Sequence, residues 1–144
     1  MTPTDLQPGL RHRQQITVTE MLTVPAVSTA FTGFTDMPPV FATAFMVAFV
    51  EWTCIEALRP HLAPHLRTVG THVDMSHIGA TPVGVEVTAE VELVAIERRH
   101  LRFRVECRDA IEVIGRGFHE RTIVDGSKFV ERLRRKSAKR VPDV

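Results

Sequence analysis

The chain has 144 residues and a formal net charge of +1, from 18 Lys and Arg against 17 Asp and Glu. That length suits one domain, 1–144, with a core of its own, and the balanced charge excludes a whole-chain nucleic-acid footprint. Two cysteines, Cys54 and Cys107, make no disulfide framework, and MTPTDLQPGLRHRQQ holds no apolar signal segment, so a cytoplasmic protein is expected.

Residues 1–14 are polar, with Pro3, Pro8 and Gly9, and read as a loose lead-in. From 15 to 24, QITVTEMLTV alternates, with Ile16, Val18 and Leu22 on one side, and predicts a first strand. Residues 25–39 are irregular yet hold Phe31, Phe34 and Met37, more apolar bulk than a solvated loop carries. They read as a cover lying over something.

Residues 40–59, VFATAFMVAFVEWTCIEALR, form the organising stretch: before Glu51 only Thr43 is polar. Helix formers dominate it, Pro38 and Pro39 precede it, and Pro60 closes it by pushing Arg59 out of helical geometry. A helix apolar on every side is buried or in a membrane, and this apolar run is shorter than the roughly 20 residues a crossing needs. A helix buried in a domain is expected, without a membrane. A carboxylate there requires either a structural partner or a chemical task, because an unpaired ionised acid away from water costs several kcal/mol.

After the helix, His61 and His65 stand four apart but flank Pro64 and read as loop histidines, with no metal site implied. RTVGTHVDMSHI then alternates, placing Val69, Thr71, Val73, Met75 and His77 on an apolar face and Gly70, His72, Asp74 and Ser76 on the other. In VGVEVTAEVELVAIE, Val83, Val85, Val87, Ala89, Val91 and Leu93 point inward, as do Leu101, Phe103, Val105 and Cys107 of HLRFRVECRD. The short turn at Arg98 and Arg99 joins these two as an antiparallel hairpin. IEVIGRGFHERTIV puts Gly115, Gly117, His119 and Arg121 on one face, where the glycines admit a backbone or a ligand. Residues 127–144 are a basic helix and tail, docked by Phe129, Val130 and Leu133 or, in part, turned to a phosphorylated ligand.

The order is strand, long apolar helix, four strands and a basic helix. One-faced antiparallel strands need a cover, and the apolar helix is the only element long enough to supply it. The fold class expected is α+β, an antiparallel sheet wrapped around one buried helix: the hot-dog arrangement.

The segments PPVFATAFMVAFVEWTCIEALRPHL, VGTHVDMSHIGATPVGVEVTAEVEL and GRGFHERTIV resemble the fluoroacetyl-CoA thioesterase family of hot-dog enzymes, from about Phe34 to Phe129. The resemblance implies hydrolysis of a small acyl-CoA thioester, without a cofactor, in a homodimer whose active sites lie where two subunits meet. It places the family's catalytic threonine, glutamate and histidine on Thr43, Glu51 and His77, the glycine beside the thioester carbonyl on Gly70, and an arginine of the last strand on Arg121. Phe34 matches an aromatic of the family's lid, where fluorinated acyl groups are discriminated; where a second lid phenylalanine is expected, the chain has Met37. The rival readings are a non-catalytic acyl-CoA sensor and a hot-dog enoyl-CoA hydratase, whose aspartate and histidine pair this helix lacks.

Thr43 and Glu51 are eight residues apart, roughly 12 Å along a helix, and cannot bond each other within it. A triad therefore closes through His77 or across a dimer interface.

Overall fold

The computed structural model describes residues 5–139. Its central helix, α1 (Thr43–Leu58), starts later than the apolar run because the backbones of Val40 and Phe41 are taken by bridges to Pro82 and Thr23. Phe41 N–H donates to the Thr81 carbonyl at 2.8 Å, and Ala42 caps the helix without a side-chain bond. Pro60 does end α1, but not by expelling Arg59. That residue stays helical at φ −50° and ψ −47° and opens a 3₁₀ turn, Arg59–His61, in which Pro60 takes an early position.

Five antiparallel strands curl around α1 in the order β1-β3-β4-β5-β2: β1 (Arg11–Thr17), β2 (Leu66–Met75), β3 (Glu86–Glu97), β4 (His100–Arg108) and β5 (Val113–Asp125). The arrangement is the expected α+β hot-dog. Met46, Phe49, Val50, Cys54 and Leu58 of α1 pack on Val87, Ala89, Val91 and Leu93 of β3 and Leu101, Phe103 and Val105 of β4. Each large side chain so buried contributes about 1.5–3 kcal/mol. Both cysteines lie free in this core.

Three sequence expectations change. The lead-in is not loose where it is described, since Leu6 is buried and β1 begins at Arg11, four residues before the predicted strand. Alternating charge hid it: Arg11 and Arg13 face Glu92 and Glu90 across the ladder. The predicted strand beyond Thr17 instead breaks into 3₁₀ turns at Glu20–Leu22 and Val24–Ala26. Val83 and Val85 precede β3, Val83 being exposed, so the inward row begins at Val87.

The β3–β4 hairpin turns on Arg98 and Arg99, with Arg98 at φ 58°. Gly115 and Gly117 admit a backbone rather than a ligand, since an added Cβ would meet the carbonyl oxygens of Ser76 and Asp74 beside β2. The basic helix is α2 (Gly126–Ala138), capped by Asp125, whose Oδ1 accepts from Lys128 N–H at 3.1 Å. Only Phe129 is half-buried; Val130 and Leu133 are 53% and 50% exposed and do not dock it. Residues 140–144 of the expected tail lie outside the described residues. No helix among the described residues is long and apolar enough to cross a membrane.

Candidate active site

The sheet's curl aims β5 and the edge strand β2 at the middle of α1, where Glu51 projects. Glu51 Oε2 accepts from Arg121 Nη1 at 2.9 Å, and His119 Nε2 stands 3.9 Å from the same oxygen. Arg121 is 3% exposed and anchored elsewhere on β2: its Nε donates to Thr68 Oγ1 at 2.9 Å and its Nη2 to the Thr68 carbonyl at 3.0 Å. The cation beside the acid in this chain is thus Arg121, not His77. Glu51 Oε1 receives no hydrogen bond among the described residues, and the side chain is 37% exposed.

Gly70 completes this group. A Cβ built on it would stand 2.5 Å from Glu51 Oε2 and 3.3 Å from Arg121 Nη1, so only a glycine lets the carboxylate lie against the strand.

A second group forms at the N-terminal end of α1. Thr43 Oγ1 lies 2.7 Å from His77 Nδ1, and the His77 ring sits edge-on to Phe41 with centroids 6.4 Å apart. Among the described residues His77 Nε2 is buried with no hydrogen bond of sound geometry. Burial lowers the His77 pKa below 6.5, and the nearby Gly79 backbone only partly opposes it, so this imidazole favours the neutral form.

Gly70 and His77 are seven residues apart, which in a regular strand would set them on opposite faces, as the sequence reading had it. A bulge at Thr71, the extra residue between Gly70↔Arg121 and His72↔Glu120, shifts the alternation by one. Both therefore face the helix. The structure brings Thr43 to His77 and Glu51 to Gly70 and Arg121, and the length of α1 holds the two groups apart.

Phe34 ends the 3₁₀ turn Thr32–Phe34, half-buried and edge-on to Phe31 at 6.1 Å. Met37 N–H donates to the Phe34 carbonyl at 3.2 Å and its side chain is exposed. Among the described residues neither shares a hydrogen bond or ring contact with Thr43, Glu51 or His77. His61 lies apart, its Nδ1 3.1 Å from Asp5 Oδ2.

Thr68 and His119 had no role in the sequence reading. The alternation did put His119 inward beside Arg121, but nothing in sequence shows that a histidine and an arginine two residues apart will share one carboxylate.

Burial lowers the His119 pKa below 6.5, and Arg121 lowers it further. With His77 also depressed, the unfolded chain binds protons near pH 6.5 while the native histidines stay neutral, so stability falls as pH drops through that region. The melting temperature is expected to decline steadily from about pH 6.5 downward. A midpoint constant from neutral pH to pH 5 would contradict this placement of the two rings.

A family described as fluoroacetyl-CoA-specific thioesterase matches residues 18–127. A fluoroacetyl-CoA thioesterase from Streptantibioticus cattleyicolor is 41% identical over 104 residues, covering 72% of this chain and 75% of that protein. The solved structure of the fluoroacetyl-CoA thioesterase FlK superposes with a TM-score of 0.88 at 37% identity, over 91% of this chain and 97% of that one. A Thermus thermophilus member of the thioesterase superfamily, 23% identical, covers 94% of this chain and 96% of its own with a TM-score of 0.83 and shares the fold.

Proposed function

The chain belongs to the fluoroacetyl-CoA-specific thioesterase family and is an acyl-CoA thioesterase, and from that premise we propose that it cleaves short acyl-CoA esters, fluoroacetyl-CoA among them, at a site completed by a second copy of the chain. The observation that carries the proposal is the division of the expected residues into two groups, each hydrogen-bonded within itself and neither sufficient alone.

Two open surfaces support the second copy. β2 is an edge strand exposed from Gly70 to Asp74, and such an edge is a template for pairing with another strand. Beside it α1 leaves Thr43, Ala44, Ala48 and Trp52 exposed, Trp52 by 41%, so the helix is not buried on every side as its sequence suggests. Antiparallel pairing of β2 with its copy, about a two-fold axis near Val73 and Asp74, places Gly70 of one copy beside His77 of the other. Glu51 then meets the Thr43–His77 pair it cannot reach in its own chain.

In that composite site Glu51 delivers the attack on the thioester carbonyl, either directly, forming an anhydride that a water then hydrolyses, or through a water that the carboxylate deprotonates; Arg121 supplies its counter-charge. The Gly70 backbone approaches the developing oxyanion, and neutral His77, held by Thr43, moves the proton. The thiolate leaves with little assistance. Phe34 and Met37 cover the acyl group. Met, unbranched and adaptable, discriminates among acyl groups less sharply than a rigid ring.

The test is thiol release from a panel of acyl-CoAs that includes acetyl- and fluoroacetyl-CoA. Release from short acyl-CoAs is expected, with Met37→Phe raising the fluoroacetyl-to-acetyl ratio of kcat/KM. Binding without release would make the chain a sensor, and an absorbance change on enoyl-CoA without free thiol would make it a hydratase.

A further inference from the structure

His119 is 1% exposed, polar, and outside the groups assigned to the reaction. Its Nδ1 lies 2.8 Å from the His72 carbonyl oxygen. A carbonyl only accepts, so Nδ1 carries the proton and Nε2 presents a lone pair. That lone pair accepts from Arg121 Nη1 at 3.1 Å, the same nitrogen that donates to Glu51. Arg121 is thus clamped at three nitrogens by fixed acceptors, Thr68 on one side and His119 on the other. A guanidinium is a planar fork, so fixing these atoms fixes where Nη1 points.

We propose that His119 is a positioning residue for hydrolysis: as its Nδ1–H tautomer it aims Arg121 Nη1 at Glu51 and so sets the place of the attacking carboxylate. The Thr71 bulge belongs to this device, because the shift in pairing sets the His72 carbonyl where Nδ1 meets it. Protonation at Nε2 would turn an acceptor into a donor facing a donor, and burial together with the Arg121 charge opposes it. The bond to the His72 carbonyl and the charges of Glu51 and Glu120 favour a proton on His119, but burial, the largest cause, and the Arg121 charge outweigh them. On β5, Arg121 disfavours a second cation, and Glu120 is engaged by Arg102 of β4 at 2.6 Å. On α1, Glu51 is held by Arg121, and the Cys54 thiol is kept neutral by burial.

The inference rests on Glu51 being the attacking group, and the experiment separates the two. His119→Gln and His119→Met fill the ring's space with and without an acceptor near the Nε2 position; Thr68→Val removes another acceptor from the same guanidinium. For each variant kcat and KM are measured beside Glu51→Gln. His119→Met and Thr68→Val are expected to lower kcat roughly tenfold to a hundredfold with KM nearly unchanged, as small displacements of a reacting group do. His119→Gln should recover most of the wild-type kcat. Equal kcat in His119→Gln and His119→Met would overturn the inference, as would a wild-type kcat in Thr68→Val, which decides alone if His119→Met does not fold. An active Glu51→Gln would instead remove the reading on which the inference stands.

Discussion

Glu51→Gln is expected to lower acyl-CoA hydrolysis by about a hundredfold or more, the usual scale for losing a nucleophile or general base, with the melting temperature close to that of the unchanged chain. The substitution keeps the shape of the side chain and an acceptor for Arg121 Nη1, so the clamp on Thr68 and His119 survives. What it removes is the anion. Glu51 follows a stretch, 44–50, without a polar side chain; one of its oxygens is tied to Arg121 and the other receives no hydrogen bond among the described residues. An acid placed for stability alone would lose little activity on becoming an amide. Hydrolysis within severalfold of the unchanged rate would end the assignment of Glu51.

The second large effect is expected from adding one carbon. In Gly70→Ala the new Cβ arises 2.5 Å from Glu51 Oε2 and 3.3 Å from the Arg121 and His119 side chains. The atom in its way is the far end of a flexible side chain, so the carboxylate moves by about an ångström while the strand stays put. A displacement of that size in a reacting group costs on the order of a hundredfold in rate. The fold should tolerate it, since alanine also restricts the unfolded chain by about 0.4–1 kcal/mol relative to glycine. A fall in kcat without loss of folded protein is the expected result. A variant with unchanged kcat would show that the carboxylate need not lie against Gly70.

The apolar face of each strand from Val87 to Cys107, the turn at Arg98 and Arg99, and the long helix were all legible in the sequence, because burial on one face imposes a period of two and burial of a helix imposes length. The acid on that helix was legible as an anomaly. Its partner was not. Two charges meet when a sheet curls, and the curl that brings Arg121 of β5, held by Thr68 of β2, to Glu51 belongs to no local pattern. The bulge at Thr71 was hidden for a related reason: it reverses which residues face inward, and the alternation read from Val69 through Met75 runs on unbroken in sequence, with nothing to reveal the extra residue. The first strand was misplaced because its outward side chains are arginines that find their glutamates only across the ladder. The apolar side of α1 shows the opposite limit. Sequence reads Ala44, Ala48 and Trp52 as core, whereas one chain leaves them open.

The proposal that two copies make one site is tested most directly by co-expression of two inactive chains. A Glu51→Gln chain retains Thr43 and His77; a His77→Ala chain retains Glu51, Gly70 and Arg121. Random pairing makes half of the dimers mixed, each with one of its two sites intact, so the co-expressed sample is expected to recover about a quarter of the unchanged rate. Activity no higher than that of either parent, in a sample shown to contain mixed dimers, would contradict a site shared between copies.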